Sequence, residues 1–153
     1  MKNVIILFII LSHFILSNCN KNKGDNLISG ISIAYKNKNS DDLLDTAIQG
    51  HFSADSIKVY NLVKGIKKEV DYPNLDHPHN FFIYKSDSLK EYLLGVIFET
   101  DTTFLQLNQG NIDAITCIFD NSYGNKILRQ LSYNNVLKWE EGLNRDYVIT
   151  IVK

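Results

Sequence analysis

The stretch KILRQLSYNNVLKW, residues 126–139, consists of two short runs containing apolar residues with Asn134-Asn135 between them. Asparagine tolerates positive φ angles, and a two-residue type I′ turn requires such angles at both of its central positions. The stretch therefore predicts a β-hairpin, which is an antiparallel pair of strands joined by a tight turn.

The same pattern of strand and turn continues along the chain. SIKVYNLV, residues 56–63, is rich in β-branched residues and ends at Lys64-Gly65, which predicts a second hairpin tip before IKKEV, residues 66–70. In ISGISIAYK, Ile31, Ile33 and Tyr35 share one face, because side chains alternate along a strand. In the terminal DYVITIVK the residues that share a face are Tyr147, Ile149 and Ile151. Further short apolar or alternating runs occupy residues 80–85, 103–108 and 112–119.

One segment fits two structures. In SLKEYLLGVIF, residues 88–98, Ser88 and Glu91 have the spacing of a helix capping box, and the apolar residues also fit one helical face. The same residues also fit a strand, in which the apolar side chains would alternate between the two faces. Gly95 disfavours a helix interior, so we expect a strand, with the helix as the alternative. Residues 41–49, DDLLDTAIQ, are expected to form one helical turn within a loop.

About eight short strands, with turn residues between them and no long helical pattern, predict an all-β fold. The expected architecture is an antiparallel two-sheet sandwich, immunoglobulin-like or transthyretin-like, over residues 28–153. The chain lacks the Cys, Trp, Cys spacing of antibody domains, so these names describe shape only.

The front of the chain has the parts of a secretory signal. Lys2 supplies a positive charge, and residues 4–16 are almost entirely apolar. This run is shorter than the roughly 20 residues that cross a bilayer. A charged start, a short apolar centre and small residues before a cleavage site are typical of a signal peptide.

LSNC, residues 16–19, resembles the bacterial lipobox, in which a leucine and two small residues precede a cysteine. The resemblance implies a signal peptide at residues 1–18 and lipid attachment, by diacylglyceryl and fatty acyl groups such as palmitate, at Cys19. Polar residues 19–27 would then form a lipidated tether. Two alternatives stay open: an ordinary signal peptide or uncleaved anchor, and a first buried element with Cys19 as a spare thiol.

A wider resemblance rests on NSDDLLD, YPNLDHPHNFFIYK and DTTFLQLNQGNIDAI, together with the terminal DYVITIVK. With the lipobox, these segments resemble a group of small Gram-negative envelope lipoproteins that have a β-sandwich domain and no assigned activity. The resemblance implies a membrane-anchored domain in the cell envelope, at the outer membrane, on its periplasmic or surface face. It assigns no catalytic residue.

Charge and cysteine content narrow the classes of partner. The formal net charge is −1, and removing residues 1–18 takes away one Lys and no acid. No basic face or stripe appears, so no nucleic-acid partner is expected. With Cys19 acylated, Cys117 has no cysteine to pair with and is interpreted as a small buried hydrophobe.

Trp139, beside the hairpin, is the best single candidate for an exposed aromatic, although core burial is the preferred interpretation.

DHPH, residues 76–79, is the metal candidate, because His77 and His79 lie two apart in an extended segment and imidazole binds zinc or copper. A metal site needs further ligands, and His51 is the only other histidine outside the signal peptide, so a solvated loop is the preferred interpretation.

NKNSDDLLD, residues 37–45, has spacings like those of a calcium loop but lacks its central Gly and its final Glu. An Asx-turn loop is the better interpretation, and no metal or other cofactor is expected.

No motif for nucleophilic catalysis, phosphate binding or a zinc protease is found, so we expect no enzyme. The expected function is a lipid-anchored envelope module that binds a protein or polymer, or has a structural role. The alternatives are a metal-binding or enzymatic envelope protein that uses residues 76–79, and an inhibitor or immunity lipoprotein that acts through the loop at residues 72–80.

Overall fold

The structure is a computed structural model that describes residues 29–122, 125–144 and 146–153. The predicted signal peptide, the tether and Cys19 lie outside these residues. Within them, no helix has the length and apolar character that crossing a membrane requires.

The described residues form ten strands rather than about eight, and each strand coincides with a run that the sequence predicts as a strand. The strands are β1 Gly30–Lys36, β2 Lys58–Val63, β3 Ile66–Glu69, β4 Phe81–Lys85, β5 Tyr92–Ile97, β6 Thr102–Gln106, β7 Ile112–Asp120, β8 Ile127–Tyr133, β9 Val136–Glu140 and β10 Val148–Val152. A 3₁₀ turn, Ala54–Ser56, precedes β2.

The strands form two sheets that pack face to face. One sheet has four strands in the order β10-β1-β5-β4, and the other has six in the order β3-β2-β6-β7-β8-β9. One apolar core lies between them and includes Ile33 and Leu94 from the first sheet with Leu105 and Leu131 from the second. The prediction of an all-β sandwich is confirmed.

The two predicted hairpin tips have the expected backbone geometry. Asn134 and Asn135 have φ angles of 49° and 66°, and Lys64 and Gly65 have φ angles of 53° and 79°. Positive φ at both central residues is the requirement of a type I′ turn. Short-range turn chemistry therefore determines two of the strand pairings, β8 with β9 and β2 with β3.

Residues 88–98 contain a strand, as expected from the sequence, rather than the alternative helix. β5 lies inside its sheet, and both Leu93 and its neighbour Leu94 are buried, so this strand is covered on both faces. Double burial removes the alternation between polar and apolar residues that marks an exposed strand. This is why the same residues also fit a helix.

At residues 41–49 the prediction of a helical turn is wrong, since the segment contains consecutive hydrogen-bonded turns instead.

β1 and β10 pair in parallel, in contrast to the antiparallel pairs elsewhere in the two sheets. After β9 the chain crosses from the six-stranded sheet to the four-stranded one. The indole Nε1 of Trp139 donates to the carbonyl of Asp146 at 2.9 Å, and the Trp139 ring stacks on Tyr147 with centroids 4.8 Å apart. These contacts hold the start of β10 beside the end of β9, where the chain enters the four-stranded sheet to pair in parallel with β1.

Candidate functional site: a groove on the outer face of the four-stranded sheet

Two adjoining cavities lie on the face of the four-stranded sheet that points away from the core. Their volumes are about 440 Å³ and about 740 Å³, and both are lined by Ser32 and Tyr147. We call this continuous depression the outer-face groove. Its smaller end is lined by Phe82 and Gly95, and its larger end by Tyr84 and Leu93 among others. A concave surface with apolar walls and a few polar groups is the usual form of a binding site.

A row of three rings lies along β4, and two of them, Phe82 and Tyr84, line the groove. The imidazole of His77 stacks on the ring of Phe82, with centroids 4.4 Å apart. The ring of Phe82 lies 5.6 Å from that of Tyr84, at a tilt of 31°. Phe82 and Tyr84 are two apart on β4, so the alternation of the strand places both on the outer face. The hydroxyl groups of Tyr84 and Ser32 lie 2.8 Å apart, which fixes the Tyr84 ring across the sheet.

The shape of the groove depends on Gly95. This residue is directly opposite Phe82 in the pairing of β4 with β5. A Cβ atom at position 95 would lie 2.5 Å from Cζ of Phe82, which is closer than any real contact. The missing side chain therefore lets the Phe82 ring lie against the strand. Glycine inside a strand often marks such a close approach.

Polar groups surround the larger end of the groove. Ser86 and Ser88 lie there with their hydroxyl oxygens 3.1 Å apart. Glu91 also lines this end and forms an ion pair with Lys36, and Asp146 lines it from the chain just before β10. The arrangement can bind an extended molecule by apolar contact and hydrogen bonding. Among the described residues that line the groove, the serine hydroxyl groups contact other hydroxyl groups rather than a histidine or a carboxylate.

The two metal-candidate histidines make different contacts. His77 stacks on Phe82, whereas His79 stacks on Phe81 with centroids 6.2 Å apart. Because Phe81 and Phe82 are successive residues of β4, their side chains point to opposite faces of the sheet. Nδ1 of His79 also lies 3.2 Å from the carbonyl oxygen of Val70. Among residues 29–122, 125–144 and 146–153, no three His, Cys, Asp or Glu side chains cluster as a metal site would require.

The residues with calcium-loop spacing instead bind their own backbone. Oδ1 of Asn37 accepts the backbone N–H groups of Asn39 and Asp41, at 2.8 and 2.9 Å. The Asn37 amide donates to Asp41, and Asp42 accepts from Leu44 at 3.0 Å. This pattern is the Asx-turn loop that the sequence analysis preferred.

The cysteine and the tryptophan singled out in the sequence are core residues. Cys117 is buried, and burial raises the pKa of its thiol to about 12, so the thiolate that reacts or binds metals is not populated near neutral pH. Trp139 has only 1% of its surface exposed, so the preferred interpretation of core burial is confirmed.

A polar cluster around the buried side chain of Asp113 joins the two sheets. Asp113 is 4% exposed and accepts hydrogen bonds from Nζ of Lys153, at 2.6 and 2.7 Å, and from the amide of Asn134 at 2.7 Å. Burial alone would raise the pKa of Asp113, but the bonds from Lys153, Tyr133 and Asn134 outweigh burial and lower it. The carboxylate is therefore ionised and its charge is matched. The cluster holds the C-terminal residue to β7 and has a structural role.

The sequence alone did not predict the outer-face groove. Two signals were present. In NFFIYK, Phe82 and Tyr84 alternate with Phe81 and Ile83, so both faces of the strand carry large apolar side chains. Gly95 lies within a strand, where glycine indicates close approach of another group. Neither signal reveals that the two features face each other.

Comparison with known proteins adds no relative: the chain is matched by no protein-family model, no curated protein and no solved structure.

Proposed function

We propose that this protein is a lipid-anchored lipoprotein of the bacterial cell envelope, at the outer membrane, and that its β-sandwich is a non-catalytic binding module. The observation that carries the binding role is the outer-face groove with its row of rings, His77, Phe82 and Tyr84. The sequence of the first nineteen residues supports the anchor, since LSNC follows a short apolar run.

The groove supports binding rather than a purely structural role, because partly exposed apolar side chains line a concave surface, where one ligand can cover several of them at once. Tyr84 is 37% exposed, and Leu89 at the same end of the groove is 50% exposed. Rings and aliphatic side chains along an open channel fit the flat or apolar faces of an extended chain, with hydroxyl groups at the margin to orient it. We propose an envelope polymer, of sugar or peptide units, as the ligand.

The anchor fits a binding module in the envelope. Each methylene group buried in a membrane contributes about 0.8 kcal/mol, and two or more acyl chains hold a protein stably. The tether from Cys19 to residue 27 spans at most about 30 Å when extended, at roughly 3.3 Å per residue. A domain anchored in this way would meet its ligand close to the membrane surface.

The anchor is tested in the native host with the full chain and with Cys19→Ser. We expect the parent chain in the membrane fraction, with a mass spectrum of its first peptide that shows an acylated cysteine at position 19. Cys19→Ser is expected to lose the acyl groups and leave the membrane. An unmodified parent chain that still begins at Met1 would contradict the anchor.

The groove is tested with Tyr84→Ala and with Tyr60→Ala as the matched control. Tyr60 is a half-buried tyrosine on a strand of the other sheet, where it donates to Gln106 at 2.9 Å. The measurement is co-sedimentation of the purified full chain with isolated peptidoglycan. We expect the parent chain and Tyr60→Ala to sediment with the polymer, and Tyr84→Ala to lose about tenfold or more in affinity. Equal binding by both variants, or no binding by the parent chain, would contradict a peptidoglycan-binding groove.

A further inference from the structure

β10 is an edge strand whose outward backbone groups have no partner in the described part of the chain. The N–H of Ser32 donates to the carbonyl of Tyr147, and the N–H of Lys153 donates to the carbonyl of Lys36, both at 2.8 Å. These two bonds show that the odd-numbered residues of β10 direct their N–H and C=O groups toward β1. The groups of Val148, Thr150 and Val152 therefore point outward, since they alternate along a strand.

The edge formed by β10 differs in composition from the other three sheet edges. Edge strands are commonly protected from pairing by charged side chains, especially lysine, or by proline. β3 carries Lys67 and Lys68, β4 ends in Lys85, and β9 contains Lys138. β10 reads VITIV and has neither a charged residue nor a proline. Val152 is 63% exposed.

We propose that β10 pairs antiparallel with β10 of a second copy of this chain, about a twofold axis at Thr150. In that register Thr150 lies opposite Thr150, and Val148 lies opposite Val152. These are the residues whose backbone groups point outward, so each facing pair exchanges two hydrogen bonds. The two four-stranded sheets become one continuous eight-stranded sheet.

A second copy fits this edge because the strand is self-complementary. Valine meets valine on the outer face, and Ile149 meets Ile151 on the core side, so cross-strand pairs of β-branched residues form throughout. No like charges within the strand come opposite each other. A twofold interface uses the same surface on both copies, which closes the assembly as a dimer rather than extending it.

The pairing has a consequence for the groove but does not depend on its ligand. Val148 and Thr150 line the larger end of the outer-face groove. Pairing through β10 therefore brings the two grooves together on one sheet face, on either side of the twofold axis. Two adjoining sites on one extended polymer would bind more tightly than either site alone.

The first test is the oligomeric state of the purified full chain in density-matched detergent, measured by sedimentation equilibrium. Thr150→Lys places two lysines opposite each other at the axis, and Thr116→Lys is the control, an exposed strand threonine on the other sheet. We expect the parent chain and Thr116→Lys to dimerise, and Thr150→Lys to dimerise at least about tenfold more weakly. A monomeric parent chain, or a Thr150→Lys variant that dimerises like the parent, would overturn the pairing.

The second test locates the interface with Thr150→Cys and the control Thr116→Cys. Facing residues of a hydrogen-bonded pair have Cα atoms about 5.5 Å apart, within the range that a disulfide spans. We expect mild oxidation to convert Thr150→Cys to a covalent dimer well above the level of both the control and the parent chain. Cys117 is buried and contributes little. Equal cross-linking of the two variants would refute self-pairing.

Discussion

At the scale of single residues, one glycine determines whether the outer-face groove exists in this form. Gly95 is in the interior strand β5, where a side chain would normally add packing and β propensity. The space that its side chain would fill is occupied instead by the tip of the Phe82 ring, which also stacks with His77. The stability lost by having glycine in a strand is thus offset by an aromatic side chain from the neighbouring strand.

Gly95→Ala is expected to lower the free energy of unfolding by about 1–3 kcal/mol, because the new methyl group forces the Phe82 ring off the sheet. Gly110→Ala is the matched control, since a Cβ there meets only Asn108, at 4.0 Å. Urea unfolding followed by circular dichroism measures both. In a Phe82→Ala background the cost of Gly95→Ala should disappear. A cost that persists in that background would show that the Phe82 ring is not its cause.

At the scale of elements, the two tight turns specify which strands are neighbours within the six-stranded sheet. Each turn places two consecutive residues at positive φ: Asn134-Asn135 and Lys64-Gly65. Asn134 has a second role, since its side-chain oxygen accepts the N–H of Ala114 at 2.8 Å and its amide donates to Asp113. The first turn is therefore also tied to β7, the strand on the other side of β8.

Asn135→Val is expected to destabilise the protein by about 1–2 kcal/mol, because a β-branched residue is strained at a φ of 66°. Asn135→Gly removes that strain and is expected to be neutral or slightly stabilising. Thermal unfolding of the full chain compares the two. Position 135 separates backbone effects from hydrogen bonding better than 134 does, because Asn134 contacts β7. Equal losses for Val and Gly would mean that the turn conformation is not what the asparagine provides.

At the scale of the whole molecule, the two sheets are joined by polar contacts as well as by the apolar core. The hydroxyl groups of Tyr35, on β1, and Tyr133, on β8, lie 3.2 Å apart inside the sandwich. Burial is the main cause that raises the pKa of both phenols. Burial therefore opposes the ionisation of either phenol while the two sheets are packed together.

The raised pKa values predict loss of stability at alkaline pH. An exposed tyrosine in the unfolded chain ionises near pH 10, whereas Tyr35 and Tyr133 stay protonated in the folded state at higher pH. Their contribution to stability is fully present below about pH 10 and falls as the pH rises further. We expect the free energy of unfolding to fall steadily as the pH rises above about 10.

Tyr35→Phe combined with Tyr133→Phe should make that decrease with pH clearly shallower, whatever the variant loses in absolute stability. The control is Tyr84→Phe, which alters a phenol on the exposed outer face. Denaturant unfolding at a series of pH values gives both slopes. A double variant with the same slope as the parent chain would contradict the assignment to these two residues.

Most of the local structure follows from the sequence because its causes are local. Alternating residues such as Ile31, Ile33 and Tyr35 place one face of a strand in the core, and Asn134-Asn135 has the chemistry of its turn. The same local rules fail at β5, whose two buried faces obscure the alternation. The sequence also indicates the signal and lipid-anchor features of residues 1–19, which stay predictions.

The class of fold, the position of each strand and the two tight hairpins can be predicted from the amino-acid sequence. The order of strands in the sheets, the parallel pairing of β1 with β10 and the contact of Phe82 with Gly95 cannot. These features join residues far apart in the chain. Their free energies depend on how two whole faces pack, which short-range patterns of alternation and turn residues do not record.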